Sequence, residues 1–338
     1  MENNRFISCT FLRVFGLLYV LFFIFLTPIG TDLRLFLGDG VFFWEIRVPL
    51  PPFAWHLLSS SDVHAVPIRM QTTNLGGLKV SRLSYGTEPF NFKKGPDDNM
   101  TQGDKTPKQG GEILAEASRL GVYMWDTSDD YGTHPHVREG LKLVKRSSVV
   151  IADKSNAATY EEGVKAVDFA CKDLGTEYID IMFLHIVPPR PIQRKDANDH
   201  TYISQDFKGR KGTLEAYMEA RESGRIKKIA LSTHSTDTLR QIVDEPEIDI
   251  VCAPLNIKGT YVDDGTQQMR LDTLKALHDA GKGVYVIKIL AAGRYREMGD
   301  DCIRYALGYH DFIDVLNIGM YDIADVKHNI ELFAKTLK

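Results

Sequence analysis

Residues 149–185 read VVIADKSNAATYEEGVKAVDFACKDLGTEYIDIMFLH, and this stretch decides the fold. Two short apolar runs, Val149–Ala152 and Ile179–Leu184, flank a segment, Tyr160–Leu174, in which apolar residues recur every three or four positions. The runs have the length of buried strands, and the middle segment has the period of an amphipathic helix. This order predicts two parallel strands joined by a helical crossover.

The same alternation continues on both sides of this stretch, from Met70 to the C-terminus. The other predicted strands are Leu83–Tyr85, Tyr123–Asp126, Ile226–Leu231, Ile250–Ala253, Val284–Ile289 and Val315–Ile318. The other predicted helices are Gly111–Leu120, Thr213–Ser223, Leu271–Ala280 and Ile323–Leu337. Eight strands with intervening helices predict a (β/α)8 barrel. The alternative is a doubly wound sheet, which usually carries a glycine-rich phosphate turn, and the sequence contains no GxGxxG.

Residues 1–69 differ in composition from the rest, which predicts a domain boundary before Met70. They hold 10 of the 17 Phe and no Lys, and Val14–Leu26 is an unbroken apolar run of 13 residues. This run is shorter than the roughly 20 residues of a membrane-spanning helix and matches the core of a signal peptide. Three interpretations stay open: a membrane anchor, a secretory signal, or translation upstream of a true start at Met70. We expect residues 70–338 to form the barrel.

The whole-chain composition narrows the classes of partner. The formal net charge of −4 leaves no excess of Lys and Arg for phosphates, so we expect no nucleic-acid partner. The four Cys show no CxxC spacing, and we predict no metal site. We expect His134 and His136 to lie in a loop beside a proline. Membrane contact is expected only through residues 1–69, and the expected location is the cytoplasm.

Residues capable of proton chemistry occur where three consecutive predicted strands end. Asp126 ends strand two and Tyr131 follows in its loop, Lys154 directly follows strand three, and His185 directly follows strand four. In a (β/α)8 barrel this end of the strands carries the active site. Lys154 paired with Asp126 is expected to lower the pKa of Tyr131, which then protonates a carbonyl oxygen, while neutral His185 orients that oxygen. We expect Trp125 to pack inside the barrel.

These motifs together resemble the aldo-keto reductase family over residues 70–338. MQTTNLGGLKVSRLSYGT (70–87) resembles the family's opening hairpin, which plugs the barrel bottom, and its first strand. DTSDDYG (126–132), ADKS (152–155) and IDIMFLH (179–185) resemble its catalytic segments. The resemblance implies Asp126, Tyr131, Lys154 and His185 as a catalytic tetrad. It also implies an aldehyde or ketone substrate and hydride transfer from a nicotinamide cofactor.

The resemblance also implies a set of cofactor-binding residues. Lys288 stands where many members carry a Tyr that stacks on the nicotinamide, and Thr233 stands where an Asn is usual. Asp322 and Asp325 lie near the expected adenosine site, where members that prefer NADPH usually have basic residues. These carboxylates would repel a 2′-phosphate and favour NAD(H), whereas the family resemblance implies NADP(H). We expect NADP(H) and keep NAD(H) open. The implied cofactor residues are Gly86, Thr87, Ser232, Thr233, Asn256, Lys288, Gly319 and Asn329.

Two further expectations concern the active face. The segments Glu88–Gln109 and Ile186–Lys211 are predicted to be long loops, and such loops commonly shape the substrate site.

An alternative function is a nicotinamide-binding regulatory or redox-sensing subunit of a membrane protein. The intact set of four catalytic residues favours the enzyme.

Overall fold

The computed structural model describes residues 69–94, 100–195 and 201–337, together with four short strands before residue 50. The chain forms two compact units, Met1–Val66 and Pro67–Lys338. In the first, an antiparallel sheet has the order β1 to β4, formed by Phe6–Ser8, Phe22–Phe25, Asp32–Gly38 and Phe43–Pro49. The predicted apolar run Val14–Leu26 lies outside the described residues except for β2. Within the described part of the chain, no helix is long and apolar enough to cross a membrane.

The second unit is a closed barrel of eight parallel strands. Its strands are β7 Leu83–Gly86, β10 Met124–Asp126, β11 Val150–Ser155, β12 Ile179–Leu184, β15 Ile226–Ser232, β16 Ile250–Pro254, β17 Gly283–Ile287 and β18 Val315–Gly319. They follow one another around the barrel in this order, and β18 pairs again with β7. The predicted (β/α)8 barrel is confirmed.

A hairpin formed by β5 (Thr72–Leu75) and β6 (Leu78–Ser81) precedes the barrel. Its turn uses Gly76 at φ +54° and Gly77 at φ +90°, which only glycine adopts without strain. A Cβ on Gly76 would lie 2.8 Å from the carbonyl oxygen of Asp249, just before β16 begins. The hairpin therefore closes the bottom of the barrel, as the resemblance implied.

Eight helices are described, and most of them surround the strands. They are α1 Pro107–Arg119, α2 His134–Leu141, α3 Tyr160–Leu174, α4 Lys211–Glu222, α5 Thr236–Gln241, α6 Gln267–Asp279, α7 Gly299–Leu307 and α8 Ile323–Thr336. Helices α1, α3 and α8 begin with capping boxes, in which the N-cap and N3 side chains satisfy backbone N–H groups reciprocally.

Helices α2, α5 and α7 were not predicted, and α2 corrects an expectation. His134 and His136 lie in the first turn of α2 rather than in a loop. Their neighbouring proline occupies one of the first two helical positions, where the missing N–H costs nothing. A proline that was taken as a loop signal therefore starts a helix.

The apolar core has two layers, one inside the barrel and one between strands and helices. Met124, Phe183 and Tyr285 belong to the inner cluster, whereas Trp125 belongs to the outer one. Since successive strand residues face opposite sides, Met124 inside the barrel forces Trp125 outward, where it contacts Gly140 of α2. The expectation that Trp125 packs inside the barrel was wrong.

The two segments predicted as long loops each contain an antiparallel hairpin. The first holds β8 (Phe92–Lys94) and β9 (Met100–Gln102), and the second holds β13 (Ile192–Lys195) and β14 (Thr201–Ser204). Short 3₁₀ helices complete the described connections, at Glu88–Phe90, Arg146–Ser148, Lys208–Arg210, Ala291–Gly293 and Arg296–Met298.

Candidate active site

The four residues with proton chemistry meet at the carboxyl end of the barrel. Asp126 is the last residue of β10, and Tyr131 lies in the loop that follows. His185 directly follows β12. Lys154 was expected just after its strand, but β11 extends to Ser155, so Lys154 is inside the strand and its backbone is fixed by the sheet.

A buried ion pair joins two neighbouring strands at this end. Lys154 Nζ lies 2.7 Å from Asp126 Oδ1, and both side chains are 2% exposed. The same ammonium also donates to the backbone carbonyl of Thr127 at 2.6 Å. Two acceptors thus hold the buried charge in one place.

Tyr285 completes the surroundings of Asp126, and sequence reasoning missed it. Its hydroxyl donates to Asp126 Oδ2 at 2.7 Å, so each oxygen of the carboxylate has a donor. Burial, followed by the charge of Asp126, raises the pKa of Tyr285 well above 10, so it remains a donor at neutral pH. The available signal was a tyrosine in an otherwise apolar strand, because a buried hydroxyl requires a partner.

The ring of Tyr131 lies between the ion pair and His185. Lys154 Nζ is 5.0 Å from the centroid of this ring, and the imidazole of His185 meets it edge-on with centroids 6.2 Å apart. Asn91 Nδ2 donates to the carbonyl oxygen of Tyr131 at 3.0 Å and to that of Gly132 at 2.6 Å. These contacts fix the backbone that presents the phenol.

The structure corrects the expected pKa of Tyr131. Burial raises it well above 10, and the charges of Glu88, Asp126 and Asp130 raise it further. Lys154 does not reverse this, because its charge is compensated by Asp126 at 2.7 Å. The phenol therefore holds its proton at neutral pH.

His185 is buried beside the same ring. Burial lowers its pKa well below 6.5, and the positive charges of Lys154 and Arg210 lower it further. Its Nδ1 lies 3.4 Å from the hydroxyl of Ser128 and 3.9 Å from a carboxylate oxygen of Asp130. The imidazole is neutral at neutral pH and offers one N–H.

A cavity of about 870 Å³ opens beside these residues. The loop after β17 and the segment from β18 into α8 form much of its wall. This volume is within the range for a cofactor site. Four of the implied cofactor residues line it together with two of the catalytic residues: Gly86, Lys288, Gly319, Asn329, Asp126 and Tyr131.

Two glycines and one amide make this wall suitable for a close-fitting ligand. A Cβ on Gly86 would lie 3.0 Å from Asn317 Oδ1 and 3.1 Å from the backbone nitrogen of Gly319. Asn317 Oδ1 is buried and has no hydrogen-bond partner among the described residues. Asn317 itself lines the cavity.

The other four implied cofactor residues are buried and do not line this cavity: Thr87, Ser232, Thr233 and Asn256. The hydroxyls of Ser232 and Thr233 bond to the backbone of the segment after β12. The amide of Asn256 bonds through both its oxygen and its nitrogen to Thr260. Thr87 donates to the carbonyl of Asp126 at 2.8 Å. In this structure all four hold loops of the active face.

Carboxylates contribute to the lining of the cavity. Asp300, Asp301 and Asp325 line it. Asp325 accepts from the backbone N–H groups of Tyr321 and Asp322 at the start of α8, which are thereby already occupied. Arg296 lines the same cavity, so an anionic group bound there would meet a guanidinium as well as carboxylates.

Comparisons with known proteins agree with this architecture. The model of the aldo/keto reductase family matches residues 82–307. An NADPH-dependent D-xylose reductase from Candida boidinii is 30% identical over 127 residues, which is 35% of this chain and 34% of that protein. The match therefore spans about a third of the relative's length.

Solved structures show the same fold at low sequence identity. An aldo-keto reductase from Pseudomonas aeruginosa superposes with a TM-score of 0.61 at 18% identity, covering 80% of this chain and 98% of that one. An aldo-keto reductase from Bombyx mori in complex with NADP gives 0.57 at 17% identity, covering 78% and 88%. With the family match extending over most of the barrel, the chain belongs to the aldo/keto reductase family.

Proposed function

We propose that this chain reduces an aldehyde or ketone with a reduced nicotinamide cofactor, and oxidises the matching alcohol in reverse. One observation carries the proposal. The Lys154–Asp126 ion pair and the neutral imidazole of His185 both lie against the phenol ring of Tyr131, and Tyr131 and Asp126 line the cavity. A proton donor, a hydrogen-bond donor and a fixed positive charge together are what carbonyl reduction requires from a protein.

The protein's share of the reaction is transfer of a proton. The bound cofactor supplies the hydride, which goes to the carbonyl carbon. Tyr131 gives its proton to the carbonyl oxygen, and the N–H of His185 orients that oxygen. Because burial and carboxylates disfavour the phenolate of Tyr131, the positive charge of Lys154 at 5.0 Å from its ring matters most after the proton has left.

The cofactor site follows the cavity wall. We propose that Gly86 and Gly319 allow close approach of the cofactor, and that Asn329 and Lys288 contact its ends. The family match and the NADPH-dependent relative from Candida boidinii support NADP(H). Ser232, Thr233 and Asn256 contribute indirectly, because their side chains hydrogen-bond to loops on the active face.

A labelled cofactor tests hydride transfer directly. The full chain is supplied with NADPH or NADH carrying deuterium on the transferable nicotinamide carbon, against a panel of aromatic and sugar aldehydes. We expect the product alcohol to carry one deuterium on its former carbonyl carbon. Tight cofactor binding without deuterium in any product would contradict the proposal and favour a nicotinamide-sensing protein.

We also propose that residues 70–338 are the catalytic part of the protein and that the reaction occurs in the cytoplasm. A reduced nicotinamide cofactor is a cytosolic reagent, so an exported form would lack its hydride source. Intact-mass measurement of the protein from its native cells tests the role of the leader. A mass that includes residues 1–69 would exclude a cleaved secretory signal and a start at Met70, and would leave the membrane anchor.

A further inference from the structure

His134 is a buried histidine near Tyr131 that the proposed reaction does not use. It opens α2, three residues after Tyr131, and its side chain is 3% exposed. Its Nε2 lies 3.1 Å from Asp153 Oδ1, and its Nδ1 lies 3.1 Å from Asp173 Oδ2. Asp153 belongs to β11 and Asp173 to α3, so His134 bridges a barrel strand and an outer helix.

The chemistry of these two contacts favours a charged ring. An ionised carboxylate has no hydrogen to donate, so each ring nitrogen that faces one must carry a hydrogen. An imidazole with both nitrogens protonated is a cation. The charged groups that face it are Asp153, Asp173, Asp129 and, beyond Asp173 at 3.5 Å, Arg138.

Burial and charge act in opposite directions on this group. Burial lowers the pKa of His134, whereas the charge of Asp153 and its hydrogen bond raise it, followed by the charges of Asp173 and Asp129. The net effect is a raised pKa. The electrostatics therefore agree with the hydrogen-bond geometry.

The position of this cation connects it to the catalytic residues. Adjacent residues of β11 face opposite sides of the barrel wall: Asp153 faces out towards His134, and Lys154 faces in towards the buried ion pair. A hydrogen bond of 2.8 Å between the hydroxyls of Thr127 and Thr133 joins the two ends of the loop that carries Tyr131. His134 directly follows Thr133, and its contact with Asp153 connects this end of the loop to β11.

We propose that His134 is a positioning residue: as a doubly protonated imidazolium it locks the loop that carries Tyr131 onto the strand that carries Lys154. The catalytic consequence rests on the proposed function, whereas the charge of the ring does not. A displacement of about 1 Å between catalytic groups can reduce a rate by about 100-fold. We expect loosening of this contact to reduce turnover without weakening cofactor binding.

Nuclear magnetic resonance tests the charge independently of any activity. The full chain is labelled with ¹⁵N in its histidines, and the ring signals of His134 are assigned by their loss in His134→Asn. At about pH 8, above the ordinary pKa of histidine, we expect both ring nitrogens to carry a hydrogen. A ring with one protonated nitrogen at this pH would overturn the proposal, whether or not the protein turns over a carbonyl.

Kinetics test the positioning role. His134→Gln is expected to lower kcat about tenfold, with the KM for the carbonyl and the Kd for the cofactor changed less than about twofold. If His134 must be charged to hold the loop, kcat should fall at alkaline pH as the ring loses a proton. Asp173→Asn keeps a hydrogen-bond acceptor but removes a charge, so this fall of kcat is expected to begin about one pH unit lower than in the wild type.

A matched substitution on the same helix separates this role from general effects on α3. Asp168 is 59% exposed and pairs with Arg225 at 2.5 Å, away from His134. Asp168→Asn should leave kcat and its pH profile as in the wild type. Equal pH profiles for Asp173→Asn and Asp168→Asn, or a kcat for folded His134→Gln within about twofold of the wild type, would refute the positioning role.

Discussion

Replacing Tyr285 by Phe tests whether the carboxylate of Asp126 is held by its second donor. The substitution removes one oxygen from a fully buried side chain and leaves the packing of the ring unchanged. That oxygen donates to Asp126 Oδ2 at 2.7 Å. A hydrogen bond to a charged group contributes about 1.5–3 kcal/mol, so we expect Tyr285→Phe to lower the free energy of unfolding by this amount.

Urea unfolding of the full chain, followed by circular dichroism, measures this loss. With a denaturant slope of about 3 kcal/mol/M, the midpoint should fall by about 0.5–1 M. Turnover should fall less than it does when the proposed proton donor is removed, because Lys154 still holds the other oxygen of Asp126.

Tyr85→Phe is the matched control. Tyr85 is equally buried, lies on the barrel strand β7, and its hydroxyl has no hydrogen-bond partner in the part of the chain that the structure describes. Removing an unpartnered buried hydroxyl is neutral or stabilising. Equal free energies of unfolding for Tyr285→Phe and Tyr85→Phe would refute the reasoning.

Three further predictions concern charge. Asp126→Asn leaves the buried ammonium of Lys154 without its carboxylate, so the free energy of unfolding measured in urea should fall by about 3–5 kcal/mol. A fall of less than about 1 kcal/mol would contradict a stabilising ion pair. The folded-state pKa of His185 is lowered, so the unfolded chain binds a proton at this ring before the folded chain does. The free energy of unfolding should therefore fall as pH drops below about 6.5, and should fall less steeply in His185→Gln. Equal slopes of the free energy of unfolding against pH in the two proteins would contradict burial of a neutral ring. Asp325→Asn should increase the affinity for NADPH about fivefold relative to that for NADH in fluorescence titrations, because Asp325 lines the cavity. Asp311→Asn is the control, since its side chain is 91% exposed, and it should change neither affinity. Equal effects of the two substitutions would exclude a local effect of the Asp325 charge on NADPH binding.

The barrel could be predicted because its signals are local. Strands such as Ile179–Leu184 are short apolar runs, and Tyr160–Leu174 repeats its apolar residues with a helical period. The order of catalytic residues along the chain could likewise be predicted, because each lies at or just beyond the carboxyl end of a strand. Parallel strands bring their carboxyl ends to one edge, so the meeting of Asp126 and Lys154 follows from the topology.

Other features depend on contacts between distant parts of the chain. Tyr285 bonds to a residue 159 positions away, and no local pattern encodes that pair. The pKa of Tyr131 was expected to fall, but its sign depends on how far the charge of Lys154 is already compensated by Asp126. The start of α2 at His134 was missed because its proline was interpreted as a loop signal.

The central claim is that Tyr131 protonates the substrate while the cofactor transfers hydride. A single-turnover experiment tests it most directly: the full chain is loaded with reduced cofactor, mixed rapidly with an aldehyde, and the loss of near-ultraviolet cofactor absorbance is recorded. We predict that Tyr131→Phe slows this step at least about 100-fold while cofactor affinity stays within about twofold. A rate close to that of the wild type in Tyr131→Phe would contradict the account.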